Sequence, residues 1–300
     1  MPCKFPQMVY RAVKGRNPST GKWPLTHDPK KGHPDMSLMR PCGQCVGCRL
    51  KYAHEWAVRC MHETQYWDVC SFITLTYEDE NLRYGLAGYP TLTRGQKGDM
   101  TLFLKRLRKS LHPVKIAYKY VGEYGDTTDR PHYHILLYGH NFAADRRHHQ
   151  TTSQGNHLYT SQSLDDIWSL GNCLIGDLSF ESAAYVSSYN LKKLTGDDAR
   201  LEYDHFDLVR PYSCTSLGFG KRWVSEFADA LLERDYIIAR GHKMRPPRYY
   251  DEFFKNSDKY DFRHIIRRRE KLAEENESFG SDPISAFIME DKFAKKTKKI

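Results

Sequence analysis

The stretch KIAYKYVGEYGDTTDRPHYHILLYG, residues 115–139, constrains the fold more than any other part of this sequence. Two aromatic and aliphatic runs, 115–124 and 131–139, flank the turn-rich connection GDTTDR and read as an antiparallel hairpin. Residues two apart on a strand share a face, so His132 and His134 project together while Tyr133, Ile135 and Leu137 project oppositely. With the turn near 126–129, Glu123 falls opposite His132 or His134, depending on register. Two imidazoles and a carboxylate converging on one face suit a single metal ion and leave coordination positions open for a substrate. The plainer reading is a pair of solvated or hydrogen-bonded histidines on a half-exposed strand.

The remaining elements are read around this hairpin. Residues 1–40, rich in Pro, Gly and Lys, suggest irregular structure, followed by a helix from about Arg49 to Tyr66. VCSFITLTYED (69–79) is a strand, and 79–98 a polar, Gly-rich loop. Asp99 can cap a helix whose apolar residues Met100, Phe103, Leu104, Leu107 and Leu111 follow helical spacing, with Lys105, Arg106, Arg108 and Lys109 on the other face. A polar loop leads to a short helix near 164–170 capped by Ser163, then a strand at 172–178. SFESAAYVSSYNLKKLTG reads as a helix with Ser179 at its N-cap and Gly196 just past its end. Helices follow at 222–236 and 261–275, and KKTKKI closes the sequence as a disordered basic tail. Strands and helices without a regular βαβ rhythm, around one clear hairpin, predict an α+β fold on an antiparallel sheet. Three segments are expected: a Cys-rich amino-terminal segment and helix (1–68), a core (69–200), and a basic helical region that contacts DNA (201–300).

On the helix AAYVSSYNLKK, Tyr185 and Tyr189 lie four apart, so both phenols share a face that Lys192 and Lys193 continue. A phenol with an ordinary pKa of about 10 is a poor nucleophile at neutral pH. A nearby cation helps the phenolate form, and it can then attack a phosphodiester. Tyrosines at this spacing also pack against cores or pair with each other.

FITLTY, PHYHILLYG and YVSSYNLKK, in that order, resemble the three-motif series of the HUH endonucleases, the rolling-circle replication initiators. PCGQCVGCR, RCMHE and the GEYG…RPHYHILLYG block resemble more specifically the initiators of gokushovirus-type microviruses, over roughly residues 40–195. The resemblance implies a central, about five-stranded antiparallel sheet with flanking helices, and a Mg²⁺ or Mn²⁺ ion on His132 and His134. It also implies Tyr185 and Tyr189 as nucleophiles that form a 5′-phosphotyrosyl link and free a 3′-hydroxyl, with Lys192 or Lys193 on DNA phosphate or assisting proton transfer. Glu123 as third ligand rests on the hairpin geometry rather than on the family pattern.

Cys42, Cys45 and Cys48 form CxxCxxC, which supplies three thiolates from one turn and needs a fourth ligand to close tetrahedral zinc. Cys3 is the first choice and Cys60 the alternative, about three helical turns downstream. His148, His149 and His157 fall in a polar loop facing solvent. The charge of +9, the basic helix face at 105–109, the cluster RHIIRRREK and 13% aromatic residues suit single-stranded DNA. No run is long and apolar enough to span a membrane. The expectation is therefore a DNA nicking and joining enzyme in the host bacterial cytoplasm. Its partners would be single-stranded DNA, replicative-form origin DNA, and host replication proteins such as helicase and polymerase. A zinc-containing, non-catalytic nucleic-acid-binding regulator and an HUH transposase or relaxase are the alternatives.

Overall fold

The first forty residues, expected to be irregular, instead form a small antiparallel sheet. In the computed structural model, which describes residues 3–18, 23–192 and 196–275, β1 (Gln7–Ala12) lies between β2 (Leu25–Thr26) and β3 (Gly32–Arg40). Turn-forming residues in the connections contributed to that expectation: Gly15 takes a positive φ after β1, and Asp28 caps a 3-10 turn by accepting from the Lys30 amide. α1 (Val46–Thr64) follows, close to its expected span. By compactness the chain forms two units, Ala53–Ile265 and the remainder on either side of it.

The larger unit continues through β4 (Cys70–Thr76), α2 (Asp99–Leu111), β5 (Ala117–Tyr124) and β6 (Pro131–Tyr138). Next come β7 (Arg147–Thr151), β8 (His157–Thr160), α3 (Gln162–Trp168), β9 (Cys173–Gly176), α4 (Phe180–Lys192) and β10 (Tyr212–Thr215). The strands pair antiparallel in one sheet of order β10-β5-β6-β4-β9-β8-β7, so the fold is α+β, as expected, with seven strands rather than about five. The two sources of the difference are physical. β7 and β8 are built from the polar sequences RHHQT and HLYT, and β7 is exposed along its whole length, so no apolar alternation marks it. β10 is four residues long and is recruited to the edge of β5 by a non-local pairing.

The hairpin β5–β6 is central, as its alternation demands. One face of the sheet presents Ile73, Leu75, Tyr133, Ile135 and Leu137 to α2 (Met100, Phe103, Leu104, Leu107) and α3 (Leu164, Ile167, Trp168). The other presents Ala117, Val121, Leu136 and Tyr138 to Ala57 and Cys60 of α1, Ala183 and Val186 of α4, and Phe219. Each fully buried aliphatic or aromatic side chain here contributes about 1.5–3 kcal/mol. Gly122 of β5 has no side chain for a steric reason, since a Cβ there would stand 2.8 Å from the Tyr133 ring.

The helix starts differ from expectation in two places. Gly98, not Asp99, precedes α2; the Asp99 carboxylate is buried and accepts from the Tyr77 and Thr93 hydroxyls at 2.8 and 3.1 Å. α3 is capped by Ser161, whose Oγ accepts from the Leu164 amide, while Ser163 bonds Asp145 instead. α4 keeps Ser179 at its start, with the Ser182 amide donating to Ser179 Oγ at 3.1 Å. Gly196 opens a short helix, Gly196–Ala199. The segment expected at 222–236 is two helices, Lys221–Glu226 and Ala228–Arg234, broken at Phe227, and the helix expected at 261–275 is Arg263–Glu275. The KKTKKI tail lies outside the described residues.

Candidate active site

Register decides which side chains meet. In β5–β6, Glu123 pairs with His132 and Val121 with His134; in β4–β6, Thr74 pairs with His134 and Thr76 with His132. Directly opposed residues share a face, so Glu123, His132, His134 and Thr74 all lie on the side of the sheet that α4 covers. The His132 Nε2 atom is 2.8 Å from Glu123 Oε1, and His134 Nε2 is 3.1 Å from the same oxygen. One ligand atom from each of the three lies within 4.8 Å of the others. The expected His/His/carboxylate set therefore assembles, with Glu123 directly across from His132.

The surroundings orient each donor. His132 Nδ1 is 3.0 Å from the Arg130 carbonyl oxygen, which can only accept, so Nδ1 carries the hydrogen and Nε2 keeps the lone pair of the neutral ring. His134 Nδ1 is 3.0 Å from the Thr74 hydroxyl, which leaves its Nε2 toward Glu123. The Phe72 ring stacks on the His134 imidazole at 5.4 Å and 15°, shielding it from water. Burial works against a charged His132, yet the hydrogen bond and charge of Glu123 hold its imidazole above the ordinary histidine value. The second Glu123 oxygen, Oε2, is buried without a hydrogen-bond partner. A buried carboxylate oxygen with no donor, beside two oriented imidazoles, fits a divalent cation completing the set.

α4 brings Tyr185 over this cluster. Its ring meets the edge of His134 at 5.1 Å and that of Phe72 at 6.4 Å, and it is half-buried. Tyr189 lies one turn further along α4 and Lys192 ends the helix; their side chains, and Lys193 altogether, fall outside the described residues. Thr74 and Phe72 belong to FITLTY, which taken alone reads as a buried strand and which the motif resemblance flagged without giving either residue a role. The available signal was alternation: a strand of the core that keeps Thr74 and Thr76 on one face has polar work to do there.

Residues 70–194, from β4 through α4, match the family described as replication-associated protein ORF2/G2P. The replication-associated protein VP4 of Bdellovibrio phage phiMH2K is 32% identical over 93% of this chain and 88% of its own length. Replication-associated protein ORF2 of Spiroplasma virus 4 is 32% identical over 78% of this chain and 73% of its own. The chain belongs to the microvirus replication-associated proteins. A third relative, replication-associated protein ORF4 of Chlamydia phage 1, is 24% identical over 73% of this chain and 54% of its own length. No solved structure matches.

In this microvirus replication-associated protein, the other expected contact residues lie elsewhere. Lys105, Arg106, Arg108 and Lys109 are exposed on α2, on the sheet face opposite the Glu123–His132–His134 cluster. Arg106 is occupied there: its guanidinium donates to the Ile167 and Trp168 carbonyl oxygens at 2.7 and 2.9 Å, closing the C-terminal end of α3. Arg108 lies over the Tyr118 ring at 5.3 Å. His148, His149 and His157 are exposed on the β7–β8 hairpin, with His148 and His157 bonded to the Thr151 hydroxyl. Cys3, Cys42, Cys45 and Cys48 converge, whereas Cys60, the alternative fourth ligand, is buried in the core beneath the sheet. Among the described residues no helix is long and apolar enough to cross a membrane.

Proposed function

We propose that this protein initiates rolling-circle replication by nicking and rejoining a single DNA strand, with Tyr185 and Tyr189 as the nucleophiles. The observation that carries the reading is the Tyr185 ring standing 5.1 Å from His134, over a Glu123–His132–His134 cluster with an unsatisfied carboxylate oxygen. A net charge of +9 adds the long-range attraction that a polyphosphate partner needs.

Glu123, His132 and His134 would hold Mg²⁺ or Mn²⁺. When bound, such an ion supplies Lewis-acid polarisation of the scissile phosphate. Tyr185 Oη attacks phosphorus and gives up its proton to solvent; the new phosphotyrosyl bond replaces the bond to the 3′-oxygen, which leaves, takes a proton and becomes a free 3′-hydroxyl. One phosphodiester is exchanged for another, so no nucleotide cofactor is consumed. Tyr189, one turn along the same helix, can repeat the transfer when the origin is regenerated, before the first adduct is released. Lys192 and Lys193, which follow in sequence, would contact DNA phosphate or assist proton transfer. The free 3′-hydroxyl is a primer, so the natural partners are a host polymerase and a helicase acting on origin DNA in the bacterial cytoplasm.

The test is a covalent-adduct assay with Mn²⁺ and circular single-stranded DNA of the protein's own replicon. An EDTA-sensitive protein–DNA adduct, lost in His132→Ala and mapped to Tyr185 or Tyr189, is the expected result. An adduct that persists in Tyr185→Phe but not in Tyr189→Phe would move the first cut to Tyr189. Tight DNA binding without nicking under any divalent metal would reject catalysis and favour a binding protein.

A further inference from the structure

We propose that Cys3, Cys42, Cys45 and Cys48 form a closed structural zinc site, chemically separate from the Glu123–His132–His134 cluster. The argument begins with the separation of the sulfurs. Cys3 Sγ is 3.6 Å from Cys42 Sγ and 3.9 Å from Cys45 Sγ, and all four sulfurs lie within 4.8 Å of one another. These distances are far beyond a disulfide bond of about 2.05 Å. They match the edge of a tetrahedron of sulfurs around one ion, which for a metal–sulfur bond of about 2.3 Å is about 3.8 Å. An iron–sulfur cluster bound through one cysteine per iron must hold its cysteine sulfurs farther apart than a single ion does.

The backbone is arranged for thiolates as well. The Cys42 amide donates to Cys3 Sγ at 3.2 Å, and the Gln44 and Cys45 amides donate to Cys42 Sγ at 3.4 and 3.3 Å. Amides aimed at sulfur stabilise negative charge on it and orient it as a ligand. Cys45 stands at the start of α1, its carbonyl accepting from the Arg49 amide, and Cys48 lies in the first turn, so both sulfurs also feel the positive end of that helix. Four thiolates around Zn²⁺ leave two net negative charges at this position, which the helix end favours.

The consequence is structural rather than catalytic. All four coordination positions are filled by protein, so none is left for water or phosphate. The ligands are far apart in sequence: closing Cys3 onto Cys42, 39 positions away, encloses β1, β2 and β3. That three-stranded sheet includes a two-residue strand and carries exposed Met8, Leu25, Leu38 and Met39. So small a sheet with so little buried apolar surface needs a staple, and the metal supplies it.

Metal analysis of the full-length protein, purified without added zinc and passed over chelating resin, tests the site. About one equivalent of zinc per chain is expected, and cobalt taken up in its place should show the intense thiolate charge-transfer and visible bands of a tetrahedral four-sulfur site. Cys3→Ser and Cys48→Ser should each lower bound zinc at least about tenfold, while Cys214→Ser and Glu123→Gln keep it. Should the serine variants fail to fold, the cobalt spectrum of the unaltered chain still decides. Iron in place of zinc, no metal with four freely titrating thiols, zinc retained in Cys3→Ser, or zinc lost in Glu123→Gln would each overturn the assignment.

Discussion

The hydroxyl of Thr74 lies 3.0 Å from His134 Nδ1, so a β4 residue outside the Glu123–His132–His134 cluster fixes the direction of an imidazole on β6. Thr74→Val keeps the shape of the side chain and removes this partner, leaving a buried imidazole nitrogen without it. Loss of such an orienting contact costs about 10-fold or more in metal affinity. Calorimetric titration of Mn²⁺ into the DNA-free protein should show that drop for Thr74→Val and near-normal binding for Thr74→Ser. Unchanged affinity in Thr74→Val would mean that strand packing alone sets the His134 ring.

A cation that binds the folded chain and not the unfolded one must stabilise it by mass action. At about 100 times its dissociation constant, Mn²⁺ should add about 2.7 kcal/mol to the unfolding free energy. Glu123→Gln, which keeps the volume but removes the carboxylate, should abolish this increment while leaving the fold intact by circular dichroism. Chelation with EDTA should return the wild-type protein to the same baseline. A full Mn²⁺ increment in Glu123→Gln would remove Glu123 from the ligand set.

Gly122 sits between Val121 and Glu123 on β5, beneath the Tyr133 ring. Adding a methyl group there forces the ring or the strand to move, and overpacking of this kind costs about 1–3 kcal/mol. Gly122→Ala should lower the unfolding free energy measured in urea by that amount, and because the neighbouring residue is Glu123, it should weaken Mn²⁺ binding too. Gly125→Ala, whose added carbon would stand 3.3 Å from the Thr128 hydroxyl at its nearest, is the milder comparison.

Lys119 is almost completely buried on the sheet face that carries Val121 and Glu123, its ammonium 3.9 Å from the centre of the Trp56 ring. Burial pushes its pKa down to about 8. The unfolded chain, with an ordinary lysine near 10.4, therefore binds more protons than the folded protein between these values, and stability rises with pH across that window. Below about pH 8 the ammonium is charged in both states, and its burial costs the fold about 3 kcal/mol, which the Trp56 ring partly offsets. Lys119→Met should accordingly stabilise the protein at pH 7, with an advantage that shrinks toward pH 10. Paired urea denaturations at the two pH values check the sign; an advantage that grows with pH would contradict it.

The hairpin was legible because everything that defines it is local. Alternation over 115–124 and 131–139 sets the faces, the short turn limits the register, and together they bring Glu123 to His132. Helix spacing likewise placed Tyr185 on α4, but which sheet face α4 covers depends on the packing of Ala183 and Val186 against strands far away in sequence. Thr74 was invisible as a site residue for the same reason, since its partner lies sixty residues away across β4–β6. The β7–β8 hairpin escaped detection because a strand exposed along its length carries no apolar signal, and β1–β3 because the Pro, Gly and Lys around and between them mask short strands. The four cysteines show the boundary clearly: CxxCxxC announced three candidate ligands and the sequence ranked Cys3 ahead of Cys60, while folding brings Cys3 to the other three and buries Cys60 in the core.

The ligand cluster is built within one hairpin, while the tyrosine arrives on a helix that begins tens of residues later. The protein is thus divided into an anvil and a hammer. Strand pairing locks Glu123, His132 and His134 together whatever α4 carries, so a tyrosine on α4 can be moved or removed without rebuilding the surface it faces. On the proposed reading, the number of DNA strands held at once is then a property of a single helix.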